Sequence, residues 1–191
     1  MGQYASALGC ELMNTAYLFP GQASQKIGMG FDLFQKSKLG KKYYDLANEI
    51  MEFDIQDISF NGPEEILKQT KFTQPAIYIV SVILGELLVE KGFIPKVAAG
   101  HSLGEYSALT IGGAFNFQTG LKLVKFRAEC MQTANKIQKG TMAAIIGLSD
   151  DGIQSICESC SNENIVVPAN YNSPGQVVIS GEVSAVHLAM I

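Results

Sequence analysis

The sequence predicts an α/β chain in two parts: a core carrying a nucleophilic serine, then a smaller β-α-β-β-α unit. Three observations lead there. Gly100-His101-Ser102-Leu103-Gly104 follows the apolar run Val97-Ala98-Ala99 and precedes the helix-compatible Glu105-Tyr106-Ser107-Ala108-Leu109. That is the strand, sharp turn and helix that a G-x-S-x-G nucleophile elbow needs. Hydrophobic residues make up 47% of the 191 residues and charged residues 17%, which is enough to bury a core. Beyond residue 140 the pattern changes to short strands alternating with amphipathic helices.

Residues 1–14 form an unpatterned leader, expected to be disordered. Its start, Met1-Gly2-Gln3-Tyr4-Ala5-Ser6, formally fits the N-myristoylation pattern, a short match that chance often supplies. The core part spans 15–140. Residues 15–19 read as a short strand ending in the turn-rich Pro20-Gly21-Gln22-Ala23-Ser24-Gln25. Helices are expected over 43–51 and 63–69, with Pro63 at a first helical position and Glu64 and Glu65 in the first turn. A long apolar helix follows over 74–91, with Thr73 as N-cap and Gly92 as stop. Its apolar run, 76–89, is broken by Ser81, Gly85 and Glu86, so it reads as a buried helix rather than a membrane span. The elbow strand is 97–101, and helices over 103–111 and 119–136 complete this part.

Residues 141–191 form the second part. Strands are expected over 142–148, 165–170 and 176–180, helices over 150–160 and 182–190, and a turn at Ser173-Pro174-Gly175. This is a ferredoxin-like βαββαβ unit without its last strand. Both parts therefore read as truncated at the C-terminus, and the chain as a fragment, a truncated product or a short isoform.

The net charge of −4 and the absence of a basic block argue against nucleic acid as a partner. The four cysteines, Cys10, Cys130, Cys157 and Cys160, are sparse for a disulfide scaffold and follow no secretory signal. A reducing compartment is expected: the cytoplasm, or an organelle if the source is eukaryotic. Cys157-x-x-Cys160 lies in an amphipathic helical pattern with no second pair and no nearby histidine, so it reads as helix packing rather than a zinc or redox site. Neither a metal nor an organic cofactor is implied.

The chemistry centres on the elbow. The turn lifts the Ser102 hydroxyl clear of the sheet and leaves the Leu103 N–H at a new helix N-terminus, where negative charge is stabilised. His101 adjoins the serine, but adjacent side chains diverge at an elbow, so it is a poor candidate for the base. Arg127, on an apolar-patterned helix, has the ordinary reading of a solvated or snorkelling side chain.

Further stretches carry a resemblance: Phe19-Pro20-Gly21-Gln22-Ala23-Ser24-Gln25, Thr73-Gln74-Pro75-Ala76, Gly100 through Ala108, Arg127 with Met131-Gln132, and Asn172-Ser173-Pro174-Gly175-Gln176. In this order the chain resembles the malonyl-CoA:acyl carrier protein transacylases, acyltransferases of fatty-acid synthesis, in their N-terminal portion. The family has glycine where Ala23 stands, a change expected to be tolerated unless the loop needs a positive φ there. The resemblance implies an α/β-hydrolase-like core with an inserted ferredoxin-like subdomain. It implies that Ser102 takes malonyl from coenzyme A as an ester and passes it to the phosphopantetheine thiol of acyl carrier protein. It makes Leu103 and Gln22 the backbone donors of the oxyanion hole and Arg127 the fork for the free malonyl carboxylate. It places Gln74 near the active site, where the alternative is a polar contact at a helix start. The family's catalytic histidine and the glutamine that supports it match nothing here, and His187 does not correspond. A slow or inactive chain, acting as a monomer away from membranes, is the expectation.

Three alternatives stay open. One is a fragment of a polyketide synthase acyltransferase. Another is a non-catalytic remnant that binds carrier protein, for which Lys36, Lys38, Lys41 and Lys42 form a modest basic cluster. The third is a thioesterase-type α/β-hydrolase using the order Ser102, then Asp150, Asp151 or Glu158, then His187.

Overall fold

The computed structural model describes residues 14–137, 139–161 and 164–191. The leader's myristoylation-like pattern and Cys10 lie outside them. The elements run β1 (Ala16–Phe19), α1 (Phe31–Lys36), α2 (Lys38–Met51), α3 (Ile55–Asn61), α4 (Glu64–Leu67), α5 (Thr70–Glu90), β2 (Val97–Gly100), α6 (Gly104–Ile111) and α7 (Phe117–Ile137). After them come β3 (Gly140–Ile146), α8 (Asp150–Cys160), β4 (Val166–Ser173), β5 (Gln176–Glu182) and α9 (Val183–Ala189). The fold is mixed α/β with small sheets. It divides into two compact units, the first ending at Met131 and the second spanning Gln132–Ile191.

In the first unit β1 and β2 are parallel, with Phe19 opposite Gly100. The ladder continues past the strands: Lys96 N–H donates to Thr15 O at 2.9 Å and His101 N–H to Phe19 O at 3.0 Å. Parallel strands need a long crossover, and α1 to α5 supply it. Helix α5 is the centre of the core. Ala76, Ile77, Tyr78, Ile79, Val82 and Ile83 are buried on it against Tyr44, Ala47 and Met51 of α2 and Phe117, Leu121 and Val124 of α7.

Two local expectations are corrected. Helix α5 starts at Thr70 with Gln69 at the N-cap, so Thr73 lies inside it and its hydroxyl donates back to the Leu67 and Gln69 carbonyls. Phe72 packs edge-on against Phe53 with ring centroids 5.0 Å apart, and this apolar contact draws the chain into the helix ahead of Pro75. Pro63 occupies the N-cap of α4 rather than its first helical turn (φ −72°, ψ 162°). By length and composition α5, at 21 residues, does suffice to cross a membrane, but 61% of its most apolar stretch is buried inside the protein.

Aromatic contacts tie the helices that carry the site. The Phe117 ring stacks on Tyr43, centroids 4.0 Å apart, and on Tyr78 at 5.6 Å. Tyr78 Oη lies 2.8 Å from Thr110 Oγ1 of α6 and donates to Phe117 O at 3.1 Å. One buried hydroxyl thus holds α5, α6 and the start of α7 together. Burial pushes the Tyr78 phenol well above its ordinary range, and burial with the Glu86 carboxylate does the same to Tyr43.

In the second unit the sheet order is β3-β5-β4, both pairs antiparallel. Ile153 and Cys157 of α8 and Ala185 and Val186 of α9 pack on Val166, Val177 and Ile179. Ser149 caps α8 by accepting from Gly152 N–H at 3.2 Å. Burial raises the Cys157 thiol pKa.

Candidate active site

Ser102 lies between the end of β2 and the start of α6, half-buried, with φ +53°. A left-handed residue with a Cβ costs roughly 1–2 kcal/mol, and such strain gathers at functional turns. The flanking glycines show why it persists. A Cβ on Gly100 would lie 1.9 Å from the Gly104 carbonyl carbon, and one on Gly104 would lie 2.2 Å from Phe19 O. The chain doubles back so tightly that only hydrogen fits at either position. Leu103 then drives its side chain into the α5 core, where it is 1% exposed. This anchor fixes the direction of the Leu103 N–H, at the N-terminus of α6.

The loop after β1 contributes the second half. Gln22 and Ala23 form its turn. Gln22 Nε2 donates to Thr70 Oγ1 at 3.3 Å, Ser24 Oγ donates to Gly21 O at 2.8 Å, and Ala23 N–H donates to Gln25 Oε1 at 2.9 Å. The Gln22 side chain therefore braces the loop. Among the described residues, the backbone N–H of neither Leu103 nor Gln22 enters a hydrogen bond. Ala23 has φ +84°, so the loop does require the left-handed backbone that favours glycine. Gly21 must be small for a second reason: a Cβ there would come within 2.8 Å of His101 Nδ1 and His101 O. The His101 ring thus lies over the loop after β1.

Arg127 reaches the serine from α7. Its Nη2 donates to Ser102 Oγ at 2.8 Å, and its guanidinium lies over the Tyr106 ring, 6.0 Å from the centroid. Among the described residues the ion pairs are Lys68–Glu64 and Lys125–Glu52, so no carboxylate neutralises Arg127. A half-buried guanidinium without a counter-ion is a receptor for an anion, and its fork suits a carboxylate. It cannot serve as the base, because it has no proton-accepting capacity.

Gln74 is buried on α5 at 1% exposure. Its Nε2 contacts Met131 Sδ at 3.2 Å, one turn along α7 from Arg127, and its Oε1 has no partner among the described residues. The residues Ser102, Leu103, Gln22, Gln74 and Arg127 all belong to the first unit. Sequence reasoning gave no role to Tyr106 or Met131. The four-residue spacing from Arg127 to Met131 would have placed that pair on one side of α7, whereas Ser102 lies outside α6 and no helical spacing links it to Tyr106.

The residues of the hydrolase alternative stand elsewhere. Asp150 and Asp151 fill the exposed first turn of α8, where acids favour a helix start. Glu158 accepts from Gln154 Nε2 at 2.7 Å, and His187 is exposed on α9. Lys36, Lys38, Lys41 and Lys42 are exposed along α1 and α2. Among the described residues no group of three or more His, Cys, Asp or Glu side chains is placed to hold a metal.

Residues 16–189 match the family described as acyl transferase domain. The malonyl CoA-acyl carrier protein transacylase of Synechocystis sp. is 45% identical over 174 residues, covering 91% of this chain and 57% of the relative. The protein of that name from Bacillus subtilis is 41% identical over 175 residues, with 91% and 55% covered. An acyl carrier protein S-malonyltransferase from Vibrio cholerae superposes with a TM-score of 0.84 at 42% identity, covering 92% of this chain and 58% of that one. A malonyl-transacylase in complex with a type II PKS acyl-carrier protein superposes with a TM-score of 0.82 at 42% identity, covering 91% and 57%. The chain thus spans little more than half the length of the relatives it matches.

Proposed function

Because this chain belongs to the acyl transferase domain family, we propose that it carries the acyl-accepting half of a malonyl-CoA:acyl carrier protein transacylase. The observation that carries this reading is Arg127: an unpaired guanidinium 2.8 Å from the Ser102 hydroxyl. A serine beside an open carboxylate fork suits an acyl group that ends in a carboxylate. The names of the relatives in Synechocystis and B. subtilis support the same substrate.

In the first half-reaction Ser102 Oγ attacks the thioester carbon of malonyl-CoA. The C–O bond forms, the C–S bond breaks, and coenzyme A leaves as the thiol with the serine's proton. The Leu103 and Gln22 N–H groups receive the developing oxyanion, each worth about 3 kcal/mol to the transition state. Arg127 turns its donors to the distal carboxylate. In the second half-reaction the carrier's phosphopantetheine sulfur attacks the ester carbon. A new C–S bond forms, the C–O bond breaks, and the carrier thiol's proton passes to Ser102 Oγ. A serine hydroxyl is weak without a base, and the hydrogen bond on Ser102 Oγ comes from a donor, so turnover by this chain is slow.

We read the first unit as an α/β-hydrolase-like core, supported by its parallel pair and elbow. The second reads as a ferredoxin-like unit, supported by the order β3-β5-β4, which leaves an edge of β3 for a fourth strand. The free thiols Cys130, Cys157 and Cys160 support a reducing compartment.

The test is to incubate the chain with malonyl-CoA or acetyl-CoA, then analyse intact mass and peptides. One malonyl ester on Ser102 is expected, formed in preference to acetyl and absent from Ser102→Ala. Modification of another residue, or equal loading by acetyl, overturns the reading. Transfer from loaded Ser102 to holo acyl carrier protein tests the second half; hydrolysis in its place favours the thioesterase.

A further inference from the structure

We propose that Tyr106 is the positioning residue of the acyl-recognition arginine: its ring face holds the Arg127 guanidinium in place, and with it the preference for a carboxylate-bearing acyl group. The proposal rests on the carboxylate reading of Arg127 given above.

Arg127 is a long side chain with considerable rotamer entropy to lose. A guanidinium that must meet a carboxylate in a fixed fork needs to be held before the substrate arrives. Elsewhere on α7 this is done with charge: Lys125 is tied to Glu52 Oε2 at 2.6 Å and to Ile50 O at 3.0 Å. Arg127 has no such partner among the described residues. Its supports are the Ser102 hydroxyl at 2.8 Å and the Tyr106 ring at 6.0 Å.

The two supports differ in what they cost the reaction. A carboxylate partner would have to be displaced by the incoming malonyl carboxylate. The face of a ring attracts a cation without occupying any N–H donor. The Ser102 bond, by contrast, cannot persist unchanged, because Oγ becomes an ester oxygen on acylation. Tyr106 is then the support present both before and after the acyl group is loaded. It is itself well placed to be rigid. It is half-buried and packed against the α5 core, and α6 is pinned one turn later by the Thr110–Tyr78 contact. The ring stands on the first turn of α6, the helix into which the Ser102 turn leads.

Only the π face is needed, which separates this role from one for the hydroxyl. The experiment measures dissociation constants of malonyl-CoA and acetyl-CoA by calorimetry on the wild-type chain, Tyr106→Phe, Tyr106→Leu, Tyr106→Met and Arg127→Ala, each checked for an intact fold by its thermal melt. Wild type and Tyr106→Phe should share one malonyl-to-acetyl affinity ratio. Tyr106→Leu should lower that ratio about 2- to 5-fold, the magnitude of an exposed to partly desolvated cation–π contact, with acetyl-CoA affinity unchanged. Tyr106→Met, of similar bulk and without a π face, should behave like Tyr106→Leu and serves where leucine disturbs the fold. A wild-type ratio in the Leu and Met variants, or an equal loss in the Phe variant, overturns the proposal while leaving Arg127 as the carboxylate fork. An unchanged ratio in Arg127→Ala overturns the carboxylate reading and this proposal with it.

Discussion

The elbow turn and the turn after β1 both hold a non-glycine residue in left-handed conformation: Ser102 at φ +53° and Ala23 at φ +84°. They are built very differently. The Ser102 turn is enclosed by Gly100 and Gly104, whose neighbours leave no room for a methyl, and is anchored by the buried Leu103. The Ala23 turn is exposed and is held by three polar contacts, from Ser24, Gln25 and Gln22. At the elbow the surrounding structure over-determines the strain, and the strained residue is the proposed nucleophile. In the β1 loop the strain has no such enclosure, and Ala23 itself contributes no chemistry. Strain is tolerated at both sites, but only at the elbow does packing enforce it.

The comparison can be broken most forcefully at Gly104. Gly104→Ala puts a methyl on the Phe19 carbonyl, so the elbow must open. The expected outcome is loss of Ser102 acylation by at least two orders of magnitude, with a lowered melting temperature; near-wild-type acylation would show that the enclosure is not what holds the serine. Leu103→Ala is the next largest effect. Removing a fully buried leucine should cost about 2–5 kcal/mol in urea unfolding, and the loosened N–H should slow acylation as well. The mildest change runs the other way. Ala23→Gly should relieve left-handed strain and raise stability by up to about 1 kcal/mol, less the entropy that glycine returns to the unfolded chain. A loss of stability in that variant would mean the loop's three contacts depend on the alanine.

Much of this was legible beforehand, for local reasons. The elbow, helix α8 and the β4–β5 turn depend on residues close in sequence: glycines about a serine, Ser149 before two acids, Pro174-Gly175 between apolar runs. Helices α1 and α3 were not foreseen. Phe31, Phe34 and Phe60 lack a long helical period, and they are ordered by packing on one another and on Tyr44, with ring centroids 4.9–6.0 Å apart. Thr73 resembled a cap because it precedes an apolar run, yet the Phe72–Phe53 contact extended the helix past it. For Gln74 the sequence left two readings open, and the structure gives it a sulfur partner on α7 that no local pattern could indicate.

The sequence by itself determined the elbow and marked Ser102 as its candidate nucleophile, because glycines about a serine between an apolar run and a helical segment form a local pattern. What only tertiary structure decided is which distant groups meet there. Arg127 reaches Ser102 across 25 residues of chain, Tyr106 lies beneath it, and Ala23 is forced to a backbone conformation that its identity does not favour. Those placements follow from α5, α6 and α7 packing about one buried core, an arrangement no short window of residues specifies.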